Sequence, residues 1–239
     1  MNTNIYMFLL NLCNINSKQI KDIFRFNITI MVSFNDLFTF VLMISSKYNI
    51  DSSHSEKHSM DVLHFADENY RSQLRDFPYL EKQKNVIYSA SILHDMCDKK
   101  YMKQDDGIKE IDGFLKYSLK PEELYYTKRI IETMSYSTVK KNGYPDLGNY
   151  QMAYHVVREA DLLASYDFDR SIIYHMNKGN NITTSYYNAL ELFNERVFNY
   201  NTDKLLLSDY AQQKSVGLAS NAIKRMLSWN RILKCKSML

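Results

Sequence analysis

Glycine and proline are scarce: the 239 residues hold 6 and 3, where average usage would bring about 17 and 12. That excludes collagen-like and low-complexity chains and leaves few of the punctuating residues that strand-rich folds place in their turns. Cysteine is nearly absent too. Cys13, Cys97 and Cys235 are odd in number, far apart and free of any CxxC pair. They offer neither a disulfide framework nor a thiolate zinc site, and the expected compartment is a reducing, cytoplasmic one. Long apolar runs are missing. The stretch Ile5 to Cys13 is interrupted by Asn11, follows no Lys or Arg and makes a poor signal peptide. The stretch Ile28 to Ile44 is broken by Asn35 and Asp36 and falls short of the ~20 residues a membrane span needs. Excess charge of one sign is also lacking: Lys+Arg 30 against Asp+Glu 27 leaves +3, evenly spread. No nucleic-acid or membrane partner is expected on that basis, and the 19 Tyr are scattered without a basic stripe that would make them a base-stacking platform.

What the chain does have is 45% hydrophobic and 24% charged residues in long amphipathic runs, the pattern of an ordinary helical domain. Met31 opens a clean helical segment. The expected organisation is therefore an extension over 1–30 and one domain over 31–239. Phe34, Leu37, Phe38, Val41, Leu42 and Tyr48 recur at helical spacing over 32–48. A second helix is expected over 58–74, with His58, Val62, Phe65, Ala66 and Asn69 on one stripe. A third, over 80–97, carries Gln83, Ile87, Ala90, Ser91 and His94. Pro121 with Glu122 and Glu123 starts a helix running to about Met134, because proline costs no hydrogen bond there and the acids complement the helix dipole. A loop follows over 140–148. The next helix aligns Tyr150, Ala153, Tyr154, Val157, Asp161 and Ala164, and further helices are expected over 168–177, 184–200 and 208–230. No stretch alternates as a strand does. The fold class is all-α, a bundle of about seven to nine helices.

Three of these helices put an ionisable group on an apolar face: His58, then His94 with Asp95, then Asp161. An unpaired buried carboxylate costs several kcal/mol, so two Asp and two His turned inward are best explained by one divalent cation that compensates them together. Imidazole and carboxylate suit Mn, Fe, Ni, Zn or Mg, and the lack of ligating Cys argues against structural zinc.

These residues resemble a known signature. His58 with Val62 and Ala66, Leu93-His94-Asp95, and Glu159-Ala160-Asp161-Leu162-Leu163 are similar to the H…HD…D pattern of the HD-domain metal-dependent phosphohydrolases. The run His94 to Tyr101, Ser135-Tyr136-Ser137 with Lys140 to Gly143, and the segment Phe193 to Trp229 look like the small stand-alone members, so the resemblance spans roughly 32–230. It implies an HD-domain bundle, a cation held by His58, His94, Asp95 and Asp161, and hydrolysis of a phosphoester in a nucleotide or small phosphorylated metabolite by a metal-activated water. Asp98 stands where alarmone-cleaving HD enzymes carry an acid, and becomes the candidate to orient or deprotonate the water. Lys99 stands where their second acid would be, which argues against an alarmone substrate. Lys99, Lys141 and Arg158 become candidates to neutralise substrate phosphate. Dinuclear HD enzymes add histidines between the HD pair and the last Asp; the stretch Thr133 to Ser137 has none, and His155 lies six residues before Asp161, well round the helix. One metal ion is expected, not two, which argues against the HD oxygenases.

The competing reading is a catalytically degenerate HD protein acting as a nucleotide-binding or interaction module; homo-oligomerisation stays open. Taken singly, His54 and His64 read as exposed, His175 as a helix-end residue and Cys97 as a small packing residue. Ser135-Tyr136-Ser137 reads either as a phosphate loop or as a helix end and turn.

Overall fold

In the computed structural model the residues described are 32–54 and 56–235, so the expected extension over 1–30 lies outside them. The described residues form ten α-helices and three short 3-10 turns joined by loops, with no strand among them. The chain runs α1 (Phe34–Tyr48), α2 (Glu56–Gln73), a 3-10 turn (Pro78–Gln83), α3 (Lys84–Leu93), α4 (Gln104–Leu115), α5 (Pro121–Thr133) and α6 (Tyr136–Asn142). After a turn at Gly148–Tyr150 come α7 (Gln151–Ala164), α8 (Phe168–Asn177), α9 (Ile182–Glu195), a turn at Val197–Asn199 and α10 (Asp209–Cys235). The all-α expectation is met.

The centre of the bundle is α7. Ala153, Tyr154, Val156, Val157, Ala160, Leu162 and Leu163 are all buried, and so are the charged Arg158 and Glu159, so this helix is enclosed nearly all round by others. It packs most extensively on α2, and α3 is held between α2, α5 and α7. One apolar cluster gathers α1 to α7; a second joins the end of α7 to α8, α9 and α10 through Leu162, Phe168, Phe193 and Tyr200.

Several elements differ from the sequence expectation. On α1 the inward residues are Leu37, Phe40, Val41 and Ile44, while Phe34 and Leu42 are exposed, a rotation of the expected stripe. The third helix is shorter than 80–97. It begins as the 3-10 turn at Pro78, and α3 ends at Leu93, which puts His94 and Asp95 in the turn beyond it. Helix α4 was not expected, because Gly107 and Gly113 weaken its helical signal. The segment 136–142, expected partly as loop, is helix α6, with the Ser135 hydroxyl accepting from Thr138 N at 3.3 Å.

Gly107 explains how α4 supports the turn that carries His94 and Asp95. A Cβ there would lie 2.5 Å from Cys97 Cβ and 2.6 Å from Cys97 Cα, so the helix lies directly against that turn. Gly107→Ala is expected to destabilise by about 1–3 kcal/mol, the usual cost of overpacking. Gly113→Ala, which meets nothing within 4 Å, should be neutral or slightly stabilising. Thermal melts of the two variants check the contrast.

Candidate metal centre

Helix α2 opens with His58 in its first turn, facing α7 with Val62 and Ala66 below it, and the imidazole is 2% exposed. His94 sits just past the end of α3, where its Nδ1–H donates to Ser91 O at 2.8 Å, which turns Nε2 toward His58. Asp95 follows directly, and Asp161 arrives from the last turn of α7. Four atoms converge. His58 Nε2 is 3.1 Å from His94 Nε2, 3.5 Å from Asp95 Oδ2 and 3.2 Å from Asp161 Oδ1. His94 Nε2 is 3.4 Å from Asp95 Oδ2 and 3.6 Å from Asp161 Oδ1. The structure therefore contains a possible metal site of His58, His94 and Asp95, with the Asp161 carboxylate beside it.

The donor set fits a cation. Neighbouring ligands on one ion with bonds of ~2.1 Å stand roughly 3.0–3.4 Å apart, close to the spacings found here. Asp95 Oδ2 is buried and accepts no hydrogen bond, and His58 Nδ1 is likewise without a partner among the described residues. Such orphaned groups need an explanation, and a cation at the convergence supplies one for the carboxylate. Burial pushes His58 down to about 4, helped by the positive charge of Arg170. Burial acts on His94 in the same direction, but the Asp95 carboxylate, then Asp161, outweigh it and raise this imidazole to about 9. Asp95 and Asp161 are both held well below the usual carboxylate range: the histidines beside them overcome the burial that would raise them.

The cluster lies in a cavity of about 510 Å³. Asp98 and Lys99 line it. Asp98 accepts from Lys100 N at 2.9 Å and has Lys100 Nζ at 3.4 Å; Lys99 is exposed and makes no ion pair among the described residues. Lys141 and Arg158 do not line it, which corrects their assignment to substrate phosphate. Lys141 is exposed near the end of α6. Arg158 is 2% exposed, donates from Nη2 to Leu205 O and lies 4.8 Å from the centre of the Tyr144 ring. Its charge is spent inside the bundle because α7, central and buried on all sides, has no face left for solvent.

Sequence reading missed several lining residues. His54, expected to be exposed, is largely buried and faces the cavity; its Nδ1 is 2.7 Å from Ser53 Oγ and its Nε2 3.2 Å from Lys100 Nζ. Its place four residues before His58 in the sequence was the available signal. Ser135, Tyr136 and Ser137, singled out in the sequence, line the wall; Tyr174, Arg170 and Arg196 line it too and gave no local signal, since each belongs to a segment that reaches the cavity only through folding. Cys97 is buried against Gly107, and burial pushes its thiol up to about 12, which makes it a packing residue.

The sequence matches no protein-family model, and no curated protein matches it. Among solved structures, a crystal structure of a structural-genomics target from Lactobacillus plantarum is similar, with a TM-score of 0.59 and 17% identity over 86% of this chain and 100% of that one. At that identity the likeness is one of fold. No helix among the described residues is long and apolar enough to cross a membrane.

Proposed function

We propose that this chain is a metal-dependent phosphohydrolase of the HD-domain kind, acting in the cytoplasm on a phosphoester of a nucleotide or small phosphorylated metabolite. The observation that carries this reading is the convergence of His58, His94, Asp95 and Asp161 within 3.1–3.6 Å contacts at a cavity whose walls carry cations, Lys99 and Arg196, without an ion pair among the described residues. One divalent ion there would supply Lewis acidity, lowering the pKa of a water and offsetting phosphoryl charge. The protein groups do the rest. The Ser91 carbonyl fixes the tautomer of His94, so its Nε2 lone pair faces the cluster. Asp98 is the acceptor for the proton of the attacking water, held in place by the Lys100 backbone N–H. Lys99, with no carboxylate partner among the described residues, neutralises the phosphoryl oxygens. Water oxygen bonds to phosphorus, the ester P–O bond breaks, and the leaving oxygen takes up a proton, giving an alcohol and inorganic phosphate.

The experiment is elemental analysis of protein purified without added metal, followed by phosphate release from nucleotides and simple phosphomonoesters. About one equivalent of ion and turnover that a chelator removes and Mn²⁺ restores are the expected results. A protein that holds no ion even after soaking in Mn²⁺ would overturn the reading and leave a binding module in its place.

A further inference from the structure

The cavity wall separates its charged groups into two kinds. Lys100 is engaged by Asp98 and His54, and Asp167 caps α8 and meets Lys57 at 3.4 Å. Arg196, by contrast, has no carboxylate within ion-pair distance among the described residues, and neither of its Nη groups has a protein acceptor there. It is nonetheless held firmly. Its Nε donates to the Tyr200 hydroxyl at 3.1 Å, and its guanidinium carbon lies 4.0 Å from the centre of the Tyr136 ring. The Tyr200 hydroxyl also accepts from Ser165 Oγ at 3.0 Å, and Ser165 N donates to Asp161 O at 3.0 Å. A continuous chain of contacts therefore ties this guanidinium to α7 one helical turn beyond Asp161. A planar fork fixed on its face and at Nε, with its outer N–H groups left free at a cavity, is preorganised for a bidentate oxyanion.

We propose that Arg196 anchors a second anion subsite, so that the cavity takes a ligand carrying two phosphate groups, one at the four-residue cluster and the other on Arg196. The first of these positions rests on the phosphohydrolase reading; the second does not require turnover. The shared chemistry fits a diphosphate unit or two phosphates on separate carbons, and the probes tell these apart.

The test is calorimetric titration of the manganese-loaded full-length chain, freed of excess ion, with methylphosphonate, methylenediphosphonate and 1,3-propylenediphosphonate. The wild type is expected to bind one of the two diphosphonates about ten- to hundredfold more tightly than methylphosphonate, the scale of a charged hydrogen-bonded contact. The shorter probe winning identifies a diphosphate unit, the longer one separated phosphates. Arg196→Met should bring diphosphonate and monophosphonate within about twofold, and Arg196→Lys should fall between, keeping charge without the fork. A ratio of two ligands does not move with a general loosening of the fold. Wild type without the preference, or Arg196→Met retaining it, overturns the subsite. Should Arg196→Met fail to fold, Tyr200→Phe, which releases Nε, takes its place beside Arg196→Lys; an unchanged ratio in both has the same consequence. Metal content measured before titration separates the two ideas. Manganese retained with no diphosphonate preference removes the subsite alone, while absence of manganese removes the phosphohydrolase reading, and methylphosphonate binding to the metal-free chain, lost in Arg196→Met if the subsite is real and unchanged if it is not, then decides the subsite.

Discussion

Replacing His94 by alanine is expected to lower metal occupancy to under a tenth of wild type and to reduce metal-dependent phosphate release to background. Loss of even an outer partner of a ligand typically costs about 10–100-fold in affinity, and His94 is itself one of the four converging groups. Its Nε2 lies within 3.1–3.6 Å of His58, Asp95 and Asp161, so every pairwise contact of the cluster but those of His58 with the two carboxylates passes through it. Elemental analysis of the purified variant reads the first effect and a phosphate assay in Mn²⁺ the second. A far-UV circular dichroism spectrum should stay wild-type-like, since His94 lies past the end of α3 and no helix depends on it. A variant that keeps a full equivalent of ion would remove His94 from the ligand set.

The second large effect concerns Glu159, two residues before Asp161 and fully buried. Its carboxylate accepts from Leu207 N at 2.6 Å, Ser208 N at 3.1 Å, Ser208 Oγ at 2.5 Å and Asn69 Nδ2 at 3.1 Å. The same side chain thus ties α7 to α2 and to the segment that starts α10, whose exposed N–H groups it satisfies. Glu159→Ala leaves those donors without their buried acceptor. The expected loss is about 3–5 kcal/mol, the cost of breaking a buried charged network by removing one partner. For a chain of this size that is a drop in melting temperature of about 10 °C or more, readable by calorimetry. Glu159→Gln keeps one acceptor oxygen and should fall between. A melt within a degree or two of wild type would mean that the segment over 205–208 is held by other contacts.

Glu159 and Arg158 also show where sequence reading stops. Both lie in the segment that carries Asp161, and by type alone any of the three could face a substrate. Asp161 was legible because it falls on the apolar stripe with Val157 and Ala164. Arg158 was misplaced because a helix enclosed on all sides hides its charged residues in the interior, and a stripe drawn for a half-exposed helix does not anticipate that. The missed helix α4 has a similar origin: its two glycines lower intrinsic propensity, and close packing of Gly107 on Cys97, invisible in the sequence, overrides it.

The sequence by itself determined the helical class, through scarce glycine and proline and persistent helical spacing, and it singled out His58, His94, Asp95 and Asp161, because burial of charge on an apolar face is a local, periodic property. Only the tertiary structure decided that these four meet at one point, that His54, Tyr136, Arg170 and Arg196 join them around one cavity, and that Lys141 and Arg158 do not. The meeting of the four depends on how α2 and α3 pack on α7, and the added cations on where α8 and the end of α9 reach the cavity. That arrangement is set by packing between residues distant in sequence, and no local pattern records it.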